Sequence, residues 1–438
     1  MKEFPKDWAG LREWPVAILG EGKSGQALQD LLRKLNWDYL TFDQGGNSFD
    51  DQDLNEISLV VHSPGFRPDH PWILRAARYG KEILNEVDFA ARFVEGKVIA
   101  ITGTNGKSSL TTLLAHVWKK IGYPGFAGGN LGRPLSAIIA EEECKDAHIF
   151  LEISSFQARN IKFLKPDALL WTNFSADHLN FHQSEREYFL AKHRLVEKTS
   201  SASTFISSQV AEAALSFSSP LSDEVRIIPA ESTESIALPT DHFLHTYPQS
   251  ENLALAIAWL RAEGLDRATI FAALADYVPE PHRLSKVCTI HGASFWNDSK
   301  ATNLGSTLAA CRNFSDPVVW IGGGQSKGEN LDEYGTALSP HINKAFLIGE
   351  TAEKLQHVFI RSGVPVEICS GLKEAVSRAY DYAQNAVNIL FSPGFASFDS
   401  FMNYLDRGNS FLQFVLDLKK SGLRDTQVVS PFHSLHTT

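Results

Sequence analysis

Cysteines, surplus cationic charge and long apolar runs are all scarce in this chain of 438 residues, and each scarcity removes a class of function. The four cysteines, Cys144, Cys288, Cys311 and Cys369, are scattered, with no CxxC pair and no metal-ligand spacing. Neither a disulfide framework nor a zinc site is therefore expected, and a reducing compartment fits best. A formal net charge of -10 argues against a general polyanion binder, because nucleic-acid affinity comes largely from Lys and Arg neutralising phosphates. Any nucleotide phosphate has to be gripped locally. No apolar stretch approaches the roughly 20 residues a membrane helix needs. The opening MKEFPKDWAGLREWP carries charges and two prolines where a signal peptide has an apolar segment. These features lead to the expectation of a cytoplasmic protein with no nucleic-acid partner and no membrane insertion.

The composition itself, 43% hydrophobic and 21% charged, is that of an ordinary globular chain able to build real cores. Its length exceeds what one core usually sustains, so several domains are expected. Short apolar runs alternate with amphipathic stretches throughout, the pattern of parallel sheets covered by helices. Strands are expected at Val16 to Gly20, Tyr39 to Asp43, Leu59 to His62 and Glu82 to Leu84. A second series opens at Val98 to Ile101 and includes Ile149 to Ile153 and Ala168 to Trp171. A third begins with a hairpin, Lys286 to Asn297, turning at His291 and Gly292, and ends with a helix from Gly408 to Lys420. The prolines of Tyr277 to His282 mark a linker. The expected fold class is α/β in three domains, 1–94, 95–279 and 280–438: Rossmann-like at both ends, with a mostly parallel, P-loop ATPase-like sheet between.

Gly20, Gly22 and Gly25 form a G-x-G-x-x-G directly after a predicted strand, and Asp43 closes the next strand where a ribose-binding acid would stand. Read alone, the pattern suits a nicotinamide dinucleotide. It equally suits any diphosphate, since what the glycines provide is a tight turn and close approach to backbone N–H groups at a helix N-terminus.

A second phosphate loop follows the strand at Val98 to Ile101. Thr102, Gly103, Thr104, Asn105, Gly106, Lys107, Ser108 and Ser109 stand at the mouth of a helix. The first glycine of the full Walker pattern is missing, because Ile101 occupies that position. Gly103 and Gly106 still let N–H groups curl round phosphate, Lys107 supplies charge and Ser108 can ligate Mg²⁺. Glu152 ends a predicted strand and His178 follows another, so both would project from the same edge of a parallel sheet where ligands gather, and could hold Mg²⁺ ions between ATP and a substrate.

TGTNGKS, Thr102 to Ser108, resembles the ATP loop of the Mur ligases and their relative folylpolyglutamate synthetase. The resemblance runs over nearly the whole chain, in the family's order. It takes in Gly129 to Pro134 (GNLGRP), Leu151 to Gln157 (LEISSFQ), Asn173 to His178 (NFSADH), Pro281 to Arg283 (PHR), Asn297 to Asn303 (NDSKATN) and Ser392 to Asp399 (SPGFASFD). It implies a three-domain ATP-dependent ligase, expected to be a monomer. Such an enzyme would activate the carboxylate of UDP-N-acetylmuramoyl-L-alanine as an acyl phosphate and couple it to glutamate, expected to be the D-isomer. The third domain would close over the site to exclude water.

By the same resemblance the equivalents of Glu152 and His178 bind metal, expected to be two Mg²⁺. Lys192 matches a lysine carbamylated by CO₂, although Ala191-Lys192-His193-Arg194 is less apolar than the family's sequence there. Asn252 matches an adenine contact, with Glu251 where the family usually has His. Arg283, Asp298 and Lys300 match groups that meet ATP. Lys327, Ser397 and Tyr404 match the glutamate site, Tyr404 replacing a frequent Phe. Gly22, Lys23, Ser24 and Gly25 match the segment holding uridine diphosphate. Asp43 and Gln44 fall where uracil is bound, and Asn130 matches a sugar contact.

Three other readings stay open at this point. Folylpolyglutamate synthetase shares the ATP loop, a nicotinamide-dependent oxidoreductase would explain Gly20 to Asp43, and a non-catalytic module would bind ATP without product.

Overall fold

The computed structural model describes residues 3–178, 181–230, 238, 242–383 and 387–425, and the chain divides into two compact units, Met1–Pro279 and Glu280–Thr438. The first unit holds two parallel sheets. One is built from β1 (Val16–Leu19), β2 (Tyr39–Phe42), β3 (Val60–His62) and β4 (Ile83–Asn85) in the order β2-β1-β3-β4. The other takes β5 (Lys97–Thr102), β6 (Gly125–Gly129), β7 (His148–Glu152), β8 (Ala168–Trp171), β9 (Thr204–Ser207) and β10 (Arg226–Ile228) in the order β10-β9-β8-β5-β7-β6. Every pairing in both is parallel. β1, β5, β7 and β8 are buried along their whole length, apart from the first residues of β5 and β7. That explains why they read as continuous apolar runs and not as alternating ones.

The expected boundary near residue 94 separates the two sheets, yet no gap in packing accompanies it. Trp8, Val16 and Leu59 share one buried cluster with Val98, Leu151 and Leu169. Polar groups on the segment after β4 add to this contact. Asn85 donates to Gln157 O at 2.9 Å, Glu86 accepts from the Ser136 N–H and hydroxyl, and Asp88 accepts the N–H groups of Lys162, Phe163 and Leu164 at 2.8 Å each. Charge-assisted bonds of this kind, wholly satisfied and out of water, fix one loop against another.

The second unit contains β11 (Ser285–Ile290), β12 (Ala293–Asn297), β13 (Val318–Gly322), β14 (Ile342–Leu347), β15 (Val366–Ile368) and β16 (Asn388–Phe391), ordered β11-β12-β16-β13-β14-β15. β11 and β12 form the antiparallel hairpin expected, with His291 and Gly292 both at positive φ in the turn. The remaining pairs are parallel.

Glycine is the reason for two of the departures from the sequence expectation. The stretch GFAGG forms β6, although its composition disfavours a strand. A Cβ on Gly128 would lie 2.4 Å from Ile138 Cδ1, and one on Gly129 would lie 2.2 Å from Glu152 O, so close approach of neighbouring chain excludes side chains there. The last helix spans Tyr404–Asp425 and does not start at Gly408. Gly408 lies inside it because the His282 ring occupies the space a Cβ would need, at 2.4 Å.

Candidate active site

The phosphate loop joins β5 to the helix Lys107–Lys120, and its shape is held by the strand beside it. Asn173, just past β8, accepts the Asn105 N–H at 2.8 Å and donates to Asn105 O at 3.0 Å, while the Thr172 hydroxyl reaches the same carbonyl at 2.6 Å. Gly103 and Gly106 take φ of +146° and +83°, and a Cβ at Gly106 would strike the Asn252 amide at 2.6 Å. Asn252, 2% exposed on the helix Gln249–Ala262, thus packs directly against the loop. Lys107 Nζ donates back to Gly103 O at 3.0 Å and Thr104 O at 2.8 Å. The result is a preformed loop with an ammonium group at its centre, able to take a phosphate chain.

Lys192, on the helix Glu185–Lys198, is 1% exposed and donates to Gly103 O at 2.7 Å, with the Tyr188 ring 4.8 Å from its Nζ. Burial pushes its pKa well below the ordinary lysine range, and the Lys107 charge pushes the same way against the pull of Asp177 and Glu152. Burial therefore favours the neutral amine over the ammonium. Glu152, at the end of β7 and 3% exposed, accepts from Asn130 Nδ2 at 3.1 Å through one oxygen, while Oε2 is buried without a partner. His178 stands at φ +56° with its ring 4.9 Å from that of Phe156 and its N–H on the Asp177 carboxylate at 2.7 Å.

The glycine turn after β1 lines a cavity of about 350 Å³ together with Lys23, Ser24, Asp43, Gln44, Ser63, Phe66 and His70. Gly25 is required for its geometry, since a Cβ there would lie 1.8 Å from Gly20 O. Asp43 accepts from the Gln44 N–H at 2.7 Å and the Glu21 N–H at 3.4 Å, tying the two turns together. Lys23 Nζ lies 4.0 Å from where a Cβ on Gly132 would stand, in the loop whose Asn130 holds Glu152. Within the first unit, Lys23 of the glycine turn thus lies beside the loop of Gly132 and Asn130, whose amide bonds Glu152.

In the second unit the expected residues fall on four loops, before β11 and after β12, β13 and β16, and at the start of the last helix. Arg283 pairs with Glu280. Asp298 is buried, accepts from the Leu284 N–H at 3.1 Å and the Ser392 hydroxyl at 2.7 Å, and has its pKa raised to about 7 by burial, against the pull of those bonds and of Arg283 and Arg407. Lys300 Nζ lies 3.8 Å from the centre of the Tyr404 ring. Ser397 is 3% exposed, and Lys327 Nζ reaches Thr302 O at 3.5 Å. Sequence reasoning did not single out Arg407. It is 1% exposed and donates to the Ser299 hydroxyl and carbonyl and to the Phe395 and Ala396 carbonyls, joining the loop of Lys300 to that of Ser397. Asn173 and Asp177 were likewise passed over as site residues, although both stand in the NFSADH motif; only the fold shows them against the phosphate loop and Lys192.

A parallel sheet with such a loop, followed by a sheet unit opening on a hairpin, defines the class: the chain belongs to the Mur ligase family. Residues 101–235 match the Mur ligase middle domain and residues 282–395 the Mur ligase glutamate ligase domain. Its relatives narrow the class further. The chain is 30% identical to the UDP-N-acetylmuramoylalanine--D-glutamate ligase of Caldicellulosiruptor bescii, over 93% of this chain and 98% of that protein. It is 31% identical to the enzyme of the same name from Bacteroides fragilis, over 92% and 99%. Among solved structures, UDP-N-acetylmuramate-alanine ligase MurC from Thermotoga maritima superposes with a TM-score of 0.59 at 16% identity, over 92% of this chain and all of that one. Folylpolyglutamate synthase from Mycobacterium tuberculosis, complexed with ADP, gives 0.56 at 15%, over 75% and 92%. At such identities these likenesses speak for the fold alone.

Proposed function

We propose that the chain is an ATP-dependent ligase that couples D-glutamate to UDP-N-acetylmuramoyl-L-alanine through an acyl phosphate, in the cytoplasmic synthesis of peptidoglycan precursor. The observation that carries this reading is the presence, within one compact unit, of a phosphate loop and a separate diphosphate turn linked through Lys23, Gly132, Asn130 and Glu152. The near full-length likeness to D-glutamate ligases supports the choice of substrate.

In this reading Lys107 leaves the Gly103 and Thr104 carbonyls for the ATP phosphates, and Gly103 to Ser109 offer them backbone N–H groups. Lys23, Ser24 and Gly25 hold the diphosphate of the uridine carrier, with Asp43 at the nucleoside end and Asn130 at the sugar. Mg²⁺ would be held by Ser108, Glu152 and His178, and would offset charge as two anions approach. The lone partnerless Oε2 of buried Glu152 fits such an ion. Among the described residues no group of three or more His, Cys, Asp or Glu could hold a metal, so phosphate oxygens and water would complete the shell. The substrate carboxylate attacks the γ-phosphorus, ADP leaves, and the glutamate amine then attacks the acyl phosphate to give amide and inorganic phosphate. Lys327, Ser397 and Tyr404 would hold glutamate, and Asn252, Arg283, Asp298 and Lys300 would serve ATP.

Carbamylation of Lys192 belongs to the same proposal. An amine held as the free base attacks CO₂ and loses a proton, leaving an anionic carbamate. The Lys107 charge that disfavours an ammonium at this position favours that anion.

The experiment is phosphate release from ATP in the presence of UDP-N-acetylmuramoyl-L-alanine, with D-glutamate, L-glutamate, lysine and diaminopimelate supplied one at a time. Stimulation by D-glutamate alone is expected. Stimulation by another amino acid in its place would reassign the step.

A further inference from the structure

Gln44 and His70 face each other across the uridine cavity, with Gln44 Nε2 placed 2.8 Å from His70 Nε2. The imidazole has little choice of orientation or tautomer. Its Nδ1 accepts the Trp72 N–H at 3.2 Å, capping the helix Pro71–Arg78. Its ring is wedged edge-on between Phe66, at 4.8 Å, and Trp72, at 5.4 Å. Desolvation, outweighing the opposing pull of Asp69, lowers its pKa and so favours the neutral ring. A neutral imidazole whose Nδ1 is an acceptor carries its proton on Nε2. Nε2–H can only donate, and the Gln44 NH₂ placed against it can only donate too, so bonding requires the amide turned over to bring its oxygen to His70. Oxygen and nitrogen of a side-chain amide are told apart by this kind of bonding logic.

Fixing the oxygen toward His70 also fixes what Gln44 offers a ligand. The NH₂ group is left as a donor, and the oxygen keeps a second lone pair as an acceptor. That pair is complementary to uracil, which presents O4 as acceptor beside N3–H as donor. Cytosine presents the reverse, an amino donor beside an unprotonated N3, and would need the amide turned back. Turning it back would set the Gln44 NH₂ against the Nε2–H of His70, two donors with nothing to accept. We propose that His70 is a positioning residue that determines base specificity, holding the Gln44 amide in the orientation that reads uracil and rejects cytosine. Specificity of this kind rests on a clash built against the wrong ligand as much as on a contact to the right one. The inference rests on the uridine-carrier reading of this cavity.

Calorimetric titration of the full chain with UDP and with CDP tests it. The wild type should prefer UDP by about tenfold or more, the discrimination typical of a paired donor and acceptor on a base edge. His70→Ser keeps a hydroxyl to cap the helix but cannot reach Gln44. It should bring the preference below about threefold, chiefly by tightening CDP. Gln44→Ala, at an exposed side chain with little bearing on folding, should narrow the preference by weakening UDP. Lys23→Ala should weaken both nucleotides alike, because it meets only phosphate. An unchanged UDP-to-CDP ratio in His70→Ser and Gln44→Ala, or a wild type indifferent to the base, would overturn the role of His70 while leaving the ligase reading intact. A wild type that binds neither nucleotide would remove the uridine pocket, and the inference with it.

Discussion

Replacing Arg407 by methionine should destabilise the unit Glu280–Thr438 by about 3 to 5 kcal/mol. The guanidinium donates at 2.9 to 3.3 Å to four atoms on two loops: Ser299 Oγ, Ser299 O, Phe395 O and Ala396 O. Bonds from a charged donor contribute roughly 1.5 to 3 kcal/mol each, and a carbonyl left buried without a donor costs roughly 1 to 3 kcal/mol. Against this stands the cost of burying the cation. Desolvation lowers its pKa to about 10, with only partial compensation from Asp399 and Asp298. Methionine fills much of the volume, so cavity formation adds little, and the net loss falls near the usual cost of removing one member of a buried polar group. A domain of this size loses roughly 2 to 4 °C of melting temperature per kcal/mol, so scanning calorimetry should show a shift of about 10 °C. Arg407→Lys, which restores the charge without the planar fork, should recover only part of it. A methionine variant melting within about 2 °C of the wild type would show that these four bonds do not hold the loops together.

Asp298 gives a pH dependence of definite sign. Its folded pKa, raised to about 7, lies above the ordinary carboxylate value, so its contribution is fully present below about pH 4 and is lost as pH rises through 7, by roughly 4 kcal/mol. Urea midpoints measured across that window should fall with pH in the wild type and flatten in Asp298→Asn; a parallel fall in both would place the titration elsewhere. Lys107→Ala should reduce phosphate release by about a thousandfold or more while UDP affinity changes less than about threefold, as calorimetry would show; equal loss of both would mean that the two loops are not separate sites. Gly106→Ala combines a left-handed backbone with contact of the new Cβ on the Asn252 amide. Its ATP affinity should fall at least about tenfold, and near wild-type affinity would mean that the loop has room to relax.

Much of this was legible in the chain because the site is made of local turns. A glycine turn after an apolar run announces a strand, a loop and a helix in one stretch, as at Gly20 to Gly25 and Gly103 to Lys107. β1 and β8 stand where the apolar runs place them, since a strand buried on both faces needs no neighbour to declare it. β6 was hidden because its glycines answer to Ile138 and Glu152, residues the local sequence does not bring near. Arg407 was hidden for the same reason: its four acceptors lie on residues 299, 395 and 396, from 11 to 108 residues away, and an arginine on an amphipathic helix reads as a surface group. Lys192 looks like a solvated lysine until the fold buries it, and its resemblance to a modified lysine was the only sequence signal of anything else. The Gln44 and His70 pair is separated by 26 residues, and no spacing rule connects a loop glutamine to a helix-capping histidine.

The polar groups of the first unit fall into two kinds, and the difference bears on how it works. Asn85, Glu86 and Asp88 are satisfied by backbone partners across the two sheets, bonds that a ligand has no reason to displace. Lys107 and Lys192 instead rest on carbonyls of the phosphate loop itself, sharing Gly103 O, while Glu152 keeps one buried oxygen unpaired. Burial first and the Lys107 charge second lower the pKa of Lys192, favouring its neutral amine and leaving Lys107 as the cation of the pair. An anion entering the loop would let Lys107 exchange a neutral acceptor for a charged one. The stable clips therefore hold the two sheets against each other, while Lys107 and Glu152 are the groups that a bound ligand would re-pair.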